Sequence, residues 1–343
     1  MRKLVKIVKI DTVHAIPNAD AIEVAKVGGW AVVVKKSEFK PGDLAVYFEI
    51  DSFLPEGNPL WQFLIDKSSR NFNGLKGHVL KSIKLRGQVS QGLLLSLSSC
   101  FNDSTKYQEN DDVSELLGVA KYEPPVPAEL AGIVRGTFPS RIPKTDQERI
   151  QNLSIELEEW KNEKLSFEVT EKLEGTSCTF AWIENELHVC SRNLSLKDTE
   201  ENSLWKIARE FDIESKFYKH FSGRNIALQG EIVGFGVQGN IYRFSKQKFF
   251  LFDVYDADNG CYLRPSDRSD IANCLGMEHV PVIFDNFTFD NSIDIDALLS
   301  MSDGQSILRK EQLREGLVFK AHEKHVSFKA VSNKYLIKLN QSS

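Results

Sequence analysis

The stretch FEVTEKLEGTSCTF, residues 167–180, sets one lysine, Lys172, between Glu171 and Glu174. A lysine amine is nucleophilic only when deprotonated. With a reference pKa of about 10.4, the neutral form lies roughly 4–5 kcal/mol above the ammonium at pH 7. Flanking carboxylates favour the ammonium, so on this stretch alone Lys172 also reads as a solvated strand lysine. A divalent cation held by those carboxylates would reverse the local field and lower the lysine pKa. Two more acids stand in apolar, strand-like runs. Glu231 lies in IALQGEIVG, where an isolated carboxylate needs a partner or a metal. Glu315 opens EGLVFK, which closes on Lys320. Either acid also fits the water-facing side of a strand. Lys329, in VSFKAVSNK, begins a basic cluster with Lys334 and Lys338. One amine, carboxylates on separate strands and a basic cluster are the parts of phosphoryl chemistry: carboxylates hold Mg²⁺ through water, lysines neutralise phosphate, and the amine attacks phosphorus.

The elements that must position these groups follow from patterning. Residues 1 to about 100 hold short runs rich in β-branched residues (VKIVKI, AIEVAKV, WAVVVKK, LAVYFEI, HVLKSIKLR, GLLLSL), separated by turn signals such as Pro17-Asn18-Ala19-Asp20 and Lys40-Pro41-Gly42-Asp43. They suit a small closed β-barrel of OB type; an SH3-like barrel fits the same pattern. The segment NDSTKYQENDDVSELLG is polar and acidic, and YEPPVPAEL holds three prolines, which reads as a semi-rigid connector. Thr145-Asp146-Gln147-Glu148 has capping-box spacing, and Ile150, Leu153, Leu157 and Trp160 follow at helical intervals. Strands are expected over 165–195 and a helix over 200–221. Three more strand-like runs follow: NIALQGEIVGF, KQKFFLFDVYD and LREGLVFKAHEKHVSFKAVSNKYLIK. The expected organisation is a barrel over 1–105, a linker over 106–137 and an α+β domain over 138–343.

Composition bounds the partners. The 343 residues carry a formal net charge of −5, so contact with nucleic acid must come from local patches rather than bulk charge. Five scattered cysteines, odd in number and without a CxxC pair, point to reduced thiols and a cytoplasmic protein rather than a disulfide or zinc framework. No apolar run approaches a membrane span, and the alternating start MRKLVKIVKID reads as a strand, not a signal peptide.

Taken in order, the motifs resemble a family. Lys172-Leu-Glu-Gly is similar to the K-x-D-G motif of ATP-dependent ligases and capping enzymes. Ser191-Arg192-Asn193, Gly230-Glu231, Phe249-Phe250-Leu251-Phe252-Asp253, Glu315-Gly316-Leu317-Val318 and Phe328-Lys329 follow in that family's order. Gly236-Val-Gln-Gly-Asn240-Ile-Tyr242 is similar to a segment of RNA ligases. The run from IPNADAIEVAKV to KPGDLAVYFEIDSFLP resembles the OB-type domain of one RNA-ligase branch. The resemblance implies an α+β fold with an N-terminal OB-like β-barrel. It also implies a C-terminal nucleotidyltransferase domain, ATP-grasp-like and built on antiparallel sheets. It further implies an RNA ligase using ATP and Mg²⁺ or Mn²⁺. Lys172 would attack the α-phosphate to form lysyl-AMP, AMP would pass to a 5′-phosphate, and a 3′-hydroxyl would displace it, sealing a nick whose 3′-OH strand is RNA.

By the same resemblance, Lys172 and Lys329 are the catalytic pair. ATP contacts are expected from Glu171 (adenine edge), Lys172, Arg192, Glu231, Phe252 (stacked on adenine), Glu315, Lys320 and Lys329. Glu174, Glu231 and Glu315 would engage the metal through its waters, and Arg149, Arg192 and Asn240 the nucleic-acid end. The sequence departs from the pattern at two places: Glu174 stands where aspartate is commoner, and Val331 where a second lysine often follows, with Lys334 as an alternative. No C-terminal OB domain of the kind found in DNA ligases and capping enzymes is expected after the last motif. On the barrel, Lys35, Lys36, Lys81, Lys84 and Arg86, with Trp30 and Phe39 as stacking platforms, are the candidate strand-binding face. A monomer acting on RNA or an RNA-containing nicked duplex is expected, with no membrane partner. The competing expectations are a DNA ligase or capping-type transferase, and a non-catalytic nucleic-acid-binding protein with a decayed transferase domain.

Overall fold

The computed structural model describes residues 3–123 and 132–341; residues 124–131, which hold most of the proline-rich connector, lie outside these. The chain divides into two compact units, Met1–Val126 with Leu336–Ser343, and Pro127–Tyr335.

In the first unit, Val5–Lys9, Leu44–Phe48 and Leu93–Ser96 form a three-stranded antiparallel sheet with the 44–48 strand central. Thr12–Ala15, Ile22–Val27 and Trp30–Lys35 form a meander. A four-stranded sheet and the hairpin of Ser82–Leu85 with Gln88–Gln91 complete it. Among the described residues the hydrogen-bond ladders are thus split among four sheets, so the expected barrel is not one closed ladder. Trp30 and Phe39, expected as stacking platforms, are instead core residues, 1% and 4% exposed, packed with Val32, Val34 and Tyr47. Trp30 opens its strand facing inward, and burying so large a ring outweighs leaving it for a ligand. Residues of the acidic connector, Val113 and Val119, pack in a second core around Trp61.

The second unit rests on two sheets. One has eight strands, with Thr176–Ile183, Ile226–Val233 and Lys248–Asp256 at its centre. The helices Ser203–Glu210, Ile213–Phe221 and Pro265–Leu275 cover it over a core of Phe180, Trp182, Phe217, Leu228 and Phe249. The other, five-stranded, contains Ser166–Lys172, Gly316–Ala321 and Ser327–Val331. Its buried face, Phe167, Val169, Leu317, Phe319 and Phe328, packs with Leu157 and Trp160 of helix Ser154–Glu163 and Leu298 of helix Ile295–Ser302.

Several expectations change. The single helix over 200–221 is two helices, because Asp212 adopts a left-handed conformation, φ +50°. The tail NKYLIK is helical, within Asn333–Gln341, rather than a strand. The capping box does not form. Thr145 hydrogen-bonds Ser177 at 3.0 Å, and Glu148 takes the Asn152 amide at 2.9 Å. The helix starts only at Ser154, and its N-cap residue, Leu153, makes no side-chain cap.

Candidate active site

Strand Ser166–Lys172 belongs to the five-stranded sheet and Thr176–Ile183 to the eight-stranded one, so Leu173-Glu174-Gly175 carries the chain between them. Gly175 is a steric requirement of this crossing: a Cβ there would lie 2.2 Å from the Ile232 carbonyl oxygen and 2.8 Å from Val233 Cγ1. The Glu174 N–H donates to the Tyr242 hydroxyl at 2.8 Å. The Tyr335 hydroxyl bonds the Glu174 carboxylate, whose Oε2 has no hydrogen-bond partner among the described residues. Burial raises the pKa of this carboxyl, and that hydrogen bond opposes the rise.

Lys172 lies opposite Gly316 in the antiparallel register, which sets Glu315 beside it. The Lys172 Nζ donates to Glu315 Oε1 at 2.5 Å. Glu231 comes from the other sheet, opposite Ser177. Burial pushes its carboxyl up to about 8, with Lys172 opposing and Glu315 reinforcing the shift. The rise comes first from burial, which disfavours the charged carboxylate, and the cations Lys172 and Arg192 only partly offset it. Among the described residues no three His, Cys, Asp or Glu side chains converge as a closed ligand shell. Hard oxygen donors, one of them orphaned, suit a hydrated divalent ion better than a directly ligated one.

A cationic side faces these acids. Arg149 is buried, not on a capped helix: it belongs to the two-residue strand Glu148–Arg149, paired in parallel with Phe328–Lys329. Lys329 Nζ donates to Asp146 Oδ1 at 3.1 Å, and Arg192 Nη2 lies 3.5 Å from Asp146 Oδ2. One carboxylate therefore holds both cations. Burial lowers the Lys329 pKa to about 8; Asp146 works against that shift, whereas Arg149 and Lys172 add to it. Lys334, the alternative second lysine, is exposed and pairs with Asp303 at 3.6 Å.

Three expected residues sit differently. Strand alternation puts Glu171 on the face opposite Lys172. There it is buried, with Oε2 accepting from the Ile307 N–H at 2.8 Å and Oε1 lacking a partner among the described residues. Lys320 is turned inward. Its Nζ donates to the Phe252 carbonyl and to Asp253 Oδ1, the latter at 2.6 Å, and burial lowers its pKa to about 8. Beside it, wholly buried Arg268 pairs with Glu168 and donates to His279 Nε2 at 2.8 Å. Burial, together with that guanidinium, holds His279 down at about 4, so the ring is a neutral acceptor. Half-buried Phe252 is thus fixed from behind through its own carbonyl. The Asn240 side chain closes a local turn, bonding both the N–H and the carbonyl of Phe244 at 3.2 and 3.0 Å.

Sequence reasoning assigned no site role to Asp146, Tyr242, Tyr335, Asp253 or Arg268, although Asp146, Tyr242 and Asp253 fall within the quoted motifs. The Phe252-Asp253 pairing was the nearest signal, since the acid ends an otherwise apolar run.

The fold and site define a covalent nucleotidyltransferase: a lysine at the crossing of two antiparallel sheets, ringed by carboxylates on one side and tethered cations on the other. A family model for an OB-fold domain matches residues 4–97, and one for RNA ligase matches residues 165–336. Solved structures of a Naegleria gruberi RNA ligase are similar throughout. A ligand-free mutant is 41% identical with a TM-score of 0.89, covering 100% of this chain and 99% of its own. A mutant with AMP and Mn is 42% identical with a TM-score of 0.89 over 98% of each chain. A mutant with ATP and Mn is 42% identical with a TM-score of 0.88, over 97% of this chain and 98% of its own. A search of curated proteins returned no match. The chain belongs to the RNA ligase family. No helix among the described residues is long and apolar enough to cross a membrane, and all five cysteines are free.

Proposed function

We propose that this RNA ligase joins 3′-OH and 5′-phosphate ends with ATP, through a lysyl-AMP on Lys172. The observation that carries the proposal is the placement of the Lys172 amine, 2.5 Å from Glu315, between the acids of one sheet pair and the Asp146-tethered cations. Lys172 attacks the α-phosphorus, and pyrophosphate leaves. The amine must first shed a proton, for which the Glu315 carboxylate is the nearest acceptor. Glu174, Glu231 and Glu315 would hold Mg²⁺ or Mn²⁺, which would supply the positive charge that lowers the lysine's proton affinity and offsets phosphate charge.

Phe252 stacks on adenine, and the free Oε1 of Glu171 is the acceptor for its amino group. Lys329 neutralises the α-phosphate, with Arg149 and Arg192 placed for ribose and the 5′-phosphate end. Lys320 supports Phe252 from behind rather than touching phosphate, and Asn240 shapes the loop beside the site. The preferred substrate is a nicked duplex with RNA on its 3′-OH side. The protein acts in the cytoplasm, as its five free cysteines suggest, and as a monomer.

The test is covalent labelling with α-³²P ATP or GTP and a divalent metal, followed by denaturation. Label from ATP that Lys172→Ala abolishes is expected. Label from GTP alone, or none, overturns the proposal. Equal joining of nicks with DNA at the 3′-OH side overturns the RNA preference.

A further inference from the structure

Beyond the strand Ile226–Val233 that delivers Glu231, the chain makes a loop, 234–243, which sends Val237 and Tyr242 into the core but holds Phe235 out of it. Gly234 has φ +117°, and a Cβ there would lie 2.2 Å from the Lys246 carbonyl oxygen, so only glycine fits. Gly236 also has a positive φ, +76°. Between them stands Phe235, 70% exposed, more so than any other aromatic among the described residues. The next residue inward, Val237, is buried in the core of the eight-stranded sheet. The loop is therefore pinned at its base and holds an aromatic ring out in water.

It is also tied to the reactive turn at two points. Gln238 Nε2 donates to the Gly175 carbonyl at 3.3 Å, and the Tyr242 hydroxyl accepts the Glu174 N–H at 2.8 Å. The Phe235 carbonyl accepts from Gln247 Nε2 at 3.2 Å, and Asn240 braces the far end of the loop through Phe244. Arg243, exposed and with φ +57°, has no ion pair among the described residues, whereas Lys246 and Lys248 are paired with Glu210 and Glu278. Phe235 lies four residues past Glu231. An extended chain of that length spans at most about 14 Å, a distance covered by about four nucleotides stacked 3.4 Å apart.

We propose that Phe235 is a stacking platform for a nucleobase of the RNA strand, within about four nucleotides of the junction being sealed, with Arg243 contacting the adjacent backbone phosphate. The inference rests on the ligase reading above. An exposed ring with glycine on both sides presents an open face, which every base can use, and Arg243, exposed on the same loop and without an ion pair among the described residues, is available to a neighbouring backbone phosphate. A protein partner would want more apolar area than one ring, and the groups around Phe235 are glycines, amides and charges.

The test uses the full chain with Phe235 replaced by Ala, Leu or Trp. RNA strands and nicked duplexes carry 2-aminopurine at each of the four positions on either side of the junction. Binding is read by fluorescence without ATP, and adenylylation of Lys172 is measured separately. Wild type should quench one position. Phe235→Ala should abolish that quenching, weaken nucleic-acid binding roughly tenfold to hundredfold, and leave labelling from ATP unchanged. Phe235→Leu should behave like Ala, and Phe235→Trp should restore both signals. Unchanged affinity in Phe235→Ala, or Leu as effective as Trp, overturns the proposal. Loss of ATP labelling in wild type with binding retained counts against the ligase reading alone.

Discussion

Replacing Lys320 by Met tests the buried support behind Phe252. The side chains of Lys320 and Asp253 are 8% and 10% exposed and meet at 2.6 Å, and the ammonium also serves the Phe252 carbonyl. Methionine keeps the volume but leaves the Asp253 carboxylate buried without its cation. Breaking a buried pair in this way costs about 3–5 kcal/mol. For a unit of this size each kcal/mol lowers Tm by about 2–4 °C, giving a loss of roughly 6–20 °C. Calorimetry of the single variant, and of Lys320→Met with Asp253→Leu, measures it. The double variant should regain much of the loss, because no buried charge remains. A single-variant loss below about 1 kcal/mol, or a double variant no more stable than the single, would refute the reasoning. Because the Phe252 carbonyl also loses its donor, KM for ATP should rise more than kcat falls.

The same lysine imposes a pH dependence. Its folded pKa, about 8, lies below its unfolded value of about 10.4, so in between the unfolded chain binds the extra proton. Stability should therefore rise from pH 8 to 10.4, with Lys320 contributing up to about 1.4 kcal/mol per pH unit. Urea midpoints at several pH values should show this share missing in Lys320→Met. Gly175→Ala forces a methyl into the Ile232 carbonyl, so stability should drop by about 1–3 kcal/mol. ATP labelling should fall about a hundredfold through displacement of the turn; wild-type labelling would contradict the crossing geometry. Asp146→Asn removes the group that raises the Lys329 pKa, so the rise in ATP KM at alkaline pH should begin at lower pH than in wild type. An unshifted KM profile would show that Asp146 does not control Lys329.

Much of the site was legible because strand alternation and motif order are local properties. Lys172, Glu231 and Lys329 lie on strands, and Glu315 just before one, whose apolar neighbours mark the buried face. What stayed hidden depended on pairings between distant segments. Asp146 looked like part of a helix cap, yet it serves Lys329 and Arg192, residues far along the chain. The helix Pro265–Leu275 escaped notice although Pro265 and Gly276 mark its ends. Its most buried charged residue, Arg268, reads as solvent-facing until Glu168 appears opposite it. Lys320 looked available to phosphate, and only the approach of Asp253 from the other sheet turns it inward. The Trp30 misreading has the same root: an aromatic at a strand start has no sequence mark that separates core from platform.

Asp146 gives the pocket a resident competitor. With one carboxylate already shared by Lys329 and Arg192, an arriving phosphate enters by exchange rather than by filling an empty positive hole. Small dilute anions gain too little from two half-satisfied cations to evict an acid anchored by the chain. A triphosphate, with several oxygens and binding contributed by its base, can do so. The site is thereby biased toward nucleotides over salt, and the threshold is set by a residue that need never touch the bond being made.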